Sequence, residues 1–266
     1  MKQLLPLLIL LAAFQLSIAQ TERELQTNLP YIFMCDCLGD TVTIDTFYTN
    51  QGTLPDVNEC TVLLYNCSEK QIETLPVSLY SAAGIVLIYD SVLLPKTVFN
   101  HFDSLYKVEL VGMGVTSIPR SLKKYDYLSL YIRNTAIRKL PRFLTKISFT
   151  NFSIYNSNLI RLPRFFNKIS VSYTTAIVNV GVNEVSSSIF GIESGFMYVL
   201  DTNMVINPDK IDENLLVNKE FLSINCKNNQ EVYDKILSVY GENKVAMDST
   251  GIEFGYFGDK SNGGWR

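Results

Sequence analysis

The stretch LYIRNTAIRKLP, Leu130 to Pro141, decides how this chain folds. Its apolar side chains stand at Leu130, Ile132, Ile137 and Leu140, and Pro141 follows directly. Counted back from Leu140, they occupy offsets −10, −8, −3 and 0. The same offsets recur 22 residues upstream in VELVGMGVTSIP, at Val108, Leu110, Val115 and Ile118. They recur 22 residues downstream in FSIYNSNLIRLP, at Phe152, Ile154, Leu159 and Leu162. Alternation at the first two offsets predicts a short strand with those side chains inward. The residues at −3 and 0 turn into the same core from the following loop. Proline then fixes its own φ and offers no N–H, which suits the loop leaving the strand. One such unit cannot bury its apolar side alone, but stacked neighbours can.

Looser copies flank the three strict ones. TAIVNVGVNEVS carries Ile177, Val182 and Val185 with polar Thr175 in the first slot, and MYVLDTNMVINP carries Met197, Val199 and Met204 before Asn207-Pro208. Upstream, GIVLIYDSVLLP carries Val86, Ile88 and Leu93, and TVLLYNCSEKQIETLP carries Val62, Leu64, Ile72 and Leu75 around a short insertion. The pattern resembles the extracellular leucine-rich repeat, LxLxxNxLxxLP, over about seven copies within residues 61–226. The resemblance implies an α/β-type solenoid, a horseshoe with short parallel strands on its concave face and an irregular convex side. This chain departs from it at the asparagine slot, which holds Cys67, Ser91, Met113, Thr135, Ser157, Val180 and Thr202. Ser, Thr and Cys can supply part of the missing hydrogen bonding. Met113 and Val180 cannot, so some backbone groups need other partners.

Solenoid ends need caps. Residues 20–60 and their cysteines resemble the disulfide-bearing N-terminal cap of this family. The cysteine-rich C-terminal cap of many members has no counterpart here. Residues 227–266 are therefore expected to cover the last repeat, using EVYDKILSVYG (Glu231–Gly241) as a helix, with a loose tail after it. Val232, Ile236, Leu237 and Tyr240 have helical spacing in that stretch and a glycine closes it.

The N-terminus reads as a secretory signal peptide, residues 1–19. Lys2 supplies positive charge, Leu4 to Phe14 is apolar, and Ser17-Ile18-Ala19 offers small residues for cleavage near Ala19/Gln20. No later segment is apolar enough for a membrane span, and DKSNGGWR does not resemble a lipid-anchor signal. The expected product is secreted and extracellular. In that compartment Cys35, Cys37, Cys60 and Cys67 read as two disulfides, each of the first two pairing with one of the last two. Zinc is the competing reading, disfavoured by the compartment and by the lack of a nearby histidine. Cys226 is left over as a buried thiol or an intermolecular link.

Nothing marks an enzyme. The single histidine, His101, lies in VFNHFDSL without a recognisable catalytic companion, and GxSxG, HExxH, Walker and GxGxxG motifs do not occur. No cofactor and no metal are expected. Asn66-Cys67-Ser68 and Asn151-Phe152-Ser153 are N-glycosylation sequons, and Asn151 is placed at a strand start on the rim.

Two surfaces invite partners. Strand positions between the inward residues face outward on the concave side: Glu109, Val111, Tyr131, Arg133, Tyr155, Val178, Tyr198 and Leu200. Tyrosine and arginine are enriched at binding hot spots, so this face is expected to bind an extracellular protein. The second surface comes from the 22-residue period itself. In SIPRSLKK, KLPRFLTK and RLPRFFNK it stacks Arg120, Arg142 and Arg164 in one column and Lys124, Lys146 and Lys168 in another. Between Arg120 and Lys168 there are eleven Lys or Arg and one acid, Asp126, in a chain whose net charge is −3. Sulfated polysaccharide, an acidic protein or an anionic membrane surface would complement such columns. Nucleic acid suits the charge but not the compartment. The expected function is non-enzymatic recognition. The alternatives are a matrix or surface component held through the basic columns and a non-catalytic accessory subunit of a secreted enzyme complex.

Overall fold

Every apolar alternation in the sequence becomes a strand. The computed structural model describes residues 31–36, 43–48, 61–73, 75, 77–185, 187–200, 204–206, 221–225, 230–240 and 245–248. The signal segment 1–19, Cys37, Cys60, Asn207-Pro208, Cys226 and the tail beyond 248 lie outside the described residues. Eight consecutive strands run parallel in one open sheet: β3 (Thr61–Tyr65), β4 (Gly84–Ile88), β5 (Lys107–Val111), β6 (Leu128–Arg133), β7 (Ser148–Tyr155), β8 (Ser170–Val178), β10 (Phe196–Leu200) and β12 (Phe221–Asn225). Strand β1 (Tyr31–Asp36) extends the sheet in parallel beside β3, and β2 (Thr43–Tyr48) closes that edge antiparallel. At the other edge β13 (Val245–Asp248) joins β12, so the sheet continues past residue 226. The short strands β9 (Glu184–Val185) and β11 (Val205–Ile206) pair separately. Few helices accompany the sheet, an arrangement compatible with a repeat solenoid.

The core is a set of columns, one residue from each repeat. Val62, Ile85, Val108, Leu130, Phe152, Thr175, Met197 and Leu222 share a register position, which makes successive repeats 22 to 25 residues long. Two residues further on, Leu64, Leu87, Leu110, Ile132, Ile154, Ile177, Val199 and Ile224 form the second column, and all are buried. Each such side chain contributes about 1.5–3 kcal/mol when fully buried. Phe149, Phe152 and Phe166 pack edge to face within the core at centroid distances of 5.1 and 6.0 Å. In β4 the inward residues are Ile85 and Leu87, not Val86 and Ile88. That repeat has one residue fewer between strand and proline than the three repeats after it, and a one-residue slip exchanges the faces of a strand.

The proline turns are 3-10 turns. They span Val98–Asn100, Arg120–Lys124, Arg142–Lys146 and Phe166–Lys168. In each, a proline carbonyl accepts from the N–H three residues on: Val98 to Pro95 at 3.4 Å, Leu122 to Pro119 at 3.1 Å, Leu144 to Pro141 at 3.2 Å and Phe166 to Pro163 at 2.9 Å. The donor residue turns its side chain into the core.

Five strand exits follow one rule. The residue after the strand takes a left-handed conformation: Asn66 (φ 52), Gly112 (φ 100), Asn134 (φ 52), Asn156 (φ 47) and Asn179 (φ 50). Asparagine and glycine tolerate this region best. The asparagines of this chain thus stand one place before the expected slot and serve the backbone. The slot itself is mixed. Thr135 Oγ1 donates to Ser157 Oγ at 3.0 Å and Ser157 Oγ to the Tyr155 carbonyl at 3.0 Å, while Val180 is buried in the core and Met113 is exposed.

Helix α1 (Glu69–Glu73) fills the insertion of the first repeat. Ser68 and Gln71 form a reciprocal cap, with Ser68 N–H donating to Gln71 Oε1 at 2.9 Å. Helix α2 (Gln230–Tyr240) forms where the helical spacing predicts it, with Val232 and Ile236 buried.

Two substitutions test this packing. Gly114 has no room for a Cβ, which would stand 2.0 Å from the Val92 carbonyl oxygen and 2.7 Å from that of Tyr89. Gly114→Ala should cost at least the ~1–3 kcal/mol typical of overpacking, read as a lower urea midpoint. Thr175 replaces an apolar column residue, and its buried hydroxyl has no hydrogen-bond partner among the described residues. Thr175→Val should raise stability by about 1 kcal/mol in the same assay.

Candidate functional site

On the sheet face opposite the core, alternate residues of neighbouring strands come together. Glu109 of β5 pairs with Tyr131 of β6, and Arg133 of β6 pairs with Tyr155 of β7. Arg133 Nε lies 3.1 Å from Glu109 Oε1, the one ion pair recorded among the described residues. The guanidinium also stands 5.2 Å from the Tyr155 ring centroid and 5.8 Å from that of Tyr131. Lys107 Nζ also approaches the Tyr131 ring, at 5.8 Å from its centroid. A planar, weakly hydrated guanidinium suits this position better than an ammonium, because it can stack on rings while bonding a carboxylate.

Burial is deeper here than an open strand face suggests. Glu109, Val178 and Leu200 are buried, whereas Val111, Tyr131, Arg133, Tyr155 and Tyr198 are half-buried. The sequence reading placed all eight outward. They do share the outward face, but close strand spacing lets the larger tyrosine and arginine side chains cover smaller neighbours. Leu63, Val86 and Ile88 extend the face toward β3 as a separate apolar cluster, with Tyr65 and Val111 packed against it.

The tyrosines feel this environment. Burial foremost, with Tyr155 and Glu109 nearby, pushes the Tyr131 hydroxyl up to about 12, against the opposing pull of Arg133 and a hydrogen bond from Ser129. Tyr198 is also raised, first by burial and then by Tyr155 and Tyr173.

A rim of exposed aromatics borders the face where strands enter it. Tyr106 and Tyr127 directly precede β5 and β6, and Tyr173 lies in β8, its ring 5.1 Å from that of Phe196 in β10. Tyr127 is 75% exposed yet left-handed at φ 56, uncommon for a bulky residue. Tyr106 and Tyr127 lie outside the strand alternation and Tyr173 precedes the inward pair of its strand, so the repeat offsets could not single them out.

The remaining expected sites fall elsewhere. Arg120, Arg142, Arg164, Lys146 and Lys168 are exposed at the 3-10 turns, on the far side of the core from the tyrosines. Lys124 departs from the expected cation column. Its ammonium donates to the carbonyls of Phe102 and, at 3.4 Å, Asn100, and burial holds it below the ordinary lysine value despite Asp103 nearby. Asn151 lies within β7, half-buried, with Nδ2 donating to Ser129 Oγ at 3.0 Å. Asn66 is also half-buried, and its Oδ1 accepts from the N–H groups of Asp90 and Ser91 at 2.9 and 3.3 Å. His101 packs its ring 5.7 Å from Tyr80. Among the described residues no three His, Cys, Asp or Glu side chains converge as a metal site requires, and no helix is long and apolar enough to cross a membrane.

No protein-family model matches this chain, and no curated protein or solved structure matches it either.

The raised tyrosines have a measurable consequence. A phenol that holds its proton more tightly when folded contributes stability that is complete below its unfolded value of about 10. That contribution is lost as pH rises through the folded value. Unfolding free energy should therefore fall between about pH 10 and 12, and Tyr131→Phe should flatten part of the fall. Ultraviolet titration of native protein at 295 nm should show the corresponding late-ionising tyrosine.

Proposed function

We propose that this chain is a secreted leucine-rich-repeat protein that acts by recognition, binding another extracellular protein through the concave face of its sheet. The repeat reading rests on strand-to-strand steps of 22 to 25 residues, a proline turn in four of the repeats and a left-handed Asn or Gly after five of the strands. The signal-like N-terminus supplies the compartment, and Cys35, Cys37, Cys60 and Cys67 supply the disulfides of an N-terminal cap. Cys35 stands beside Leu64 in the register of β1 and β3, next to the repeat that carries buried Cys67.

The observation that carries the binding face is the Arg133 clamp. An arginine set between two tyrosines and oriented by a buried carboxylate is rigid before any partner arrives. Preorganised aromatic and guanidinium groups lose little side-chain freedom on binding, which is why such residues dominate interface energetics. Half-buried Tyr155 and Tyr198 and the exposed Tyr173 surround the clamp with amphipathic surface. Val178 and Leu200 provide an apolar base.

Affinity capture from extracellular fluid with the purified protein tests the reading. A partner held by wild type should be lost, by roughly 30-fold in Kd for a ~2 kcal/mol hot spot, in Tyr155→Ala and in Arg133→Lys. Arg133→Lys keeps the charge and removes the planar stack. Equal capture by variants that melt at the wild-type temperature would refute the concave face as the binding surface.

A further inference from the structure

The 3-10 turns raise a question that the concave face leaves open. Each turn is built by a proline carbonyl and an apolar side chain, so its geometry does not require the residue after the proline to be charged. Yet Lys96, Arg120, Arg142 and Arg164 each follow their proline directly in four consecutive repeats. Lys96 is invisible to a strict 22-residue search because it lies 24 residues before Arg120. The shared hydrogen bond from Val98 to Pro95 assigns it to the same place in its turn. All four side chains are exposed, and none has an ion pair with a described residue. Exposed Lys146 and Lys168 stand at the far ends of two of these turns.

The row has definite ends. The equivalent residue is Val77 in the repeat before it and Ser187 in the repeat after it. Lys124 shows what a structurally employed cation looks like here, bound to carbonyls of the preceding repeat. The side chains of the row make no such bond to a described residue. The turn of Arg120 contacts those of Lys96 and Arg142, and the turn of Arg164 follows in the next repeat; steps set by a strand spacing of about 4.7–4.9 Å make the row at least about 15 Å long. Like charges at this spacing repel, and between Lys96 and Lys168 the chain offers three acids, Asp103, Glu109 and Asp126, of which Glu109 is paired with Arg133 on the opposite sheet face. A linear partner carrying regularly spaced anions relieves that repulsion along its whole length.

We propose that Lys96, Arg120, Arg142 and Arg164, supported by Lys146 and Lys168, form a track for a linear sulfated polysaccharide. A strand-like polyanion matches a row one residue wide per repeat better than a bilayer does, since a bilayer presents its charge over a plane. The proposal relies on the extracellular reading of the chain but not on the concave face.

The test uses the purified full-length protein and immobilised heparin. Wild type should be retained at physiological salt and elute as salt rises. The quadruple variant Lys96→Gln, Arg120→Gln, Arg142→Gln, Arg164→Gln should bind roughly 30-fold more weakly, the product of four modest exposed charge contacts. Its thermal midpoint should match wild type, and Lys70→Gln, an exposed cation off the track, should elute unchanged. Failure of wild type to bind, or equal retention of the quadruple variant, would overturn the proposal. So would binding to phosphatidylserine vesicles without binding to heparin, an outcome that exposed Leu93 and Ile160, just upstream of Pro95 and Pro163, would then explain. Tyr155→Ala should leave heparin retention intact, so a failed concave face and a failed track give different results.

Discussion

The amide that leaves one strand donates to the last carbonyl of the next, and the arrangement outside the core depends on this bond. It runs from Asn66 to Ile88 at 2.8 Å, Tyr89 to Val111 at 2.8 Å, Gly112 to Arg133 at 3.3 Å, Asn134 to Tyr155 at 3.1 Å, Asn156 to Val178 at 2.9 Å and Asn179 to Leu200 at 3.0 Å. Each bond lengthens the parallel ladder by one residue and then releases the chain toward the core. At five of these six exits the chain turns through a left-handed conformation, which ends the strand abruptly. The descending loops therefore start from equivalent points, and their prolines fall at equivalent places. Without that constraint neither the column of core residues nor the row of cations would line up.

The same constraint separates two surfaces with different chemistry. Outward strand residues are held at strand spacing, close enough for Arg133 to reach rings on its own strand and on the next. Residues after the prolines are held at the far side of the core, where nothing in the turn consumes their charge. One face is aromatic with an internally compensated ion pair; the other is cationic, with no ion pair among the described residues. The net charge of −3 hides this division, because the basic segment is offset by acids elsewhere in the chain.

Much of this was legible in the sequence, for a physical reason. Inward residues of a stacked strand must be apolar, so Val108, Leu110, Leu130, Ile132, Phe152 and Ile154 announce themselves by spacing alone. What escaped depends on contacts between repeats. The face of β4 was read one residue out because its loop is shorter, and a period-2 element has no tolerance for such a shift. Lys124 carries the same letter as its neighbours in the column, and only the nearby carbonyls of Asn100 and Phe102 show that it is committed. The exit asparagines were visible as residues but not as a backbone device, since a left-handed φ leaves no mark on hydrophobic periodicity. Glu109 read as an exposed acid, although its pairing with Arg133 is what makes burial tolerable.

Amide hydrogen exchange at the strand exits tests the central claim most directly. The N–H groups of Asn66, Tyr89, Gly112, Asn134, Asn156 and Asn179 should exchange as slowly as those within the adjoining strands and open with them as one unit. Rapid exchange at these six positions, with the strand amides still protected, would contradict the account, because the repeats would then be held in line by something other than the exit bond.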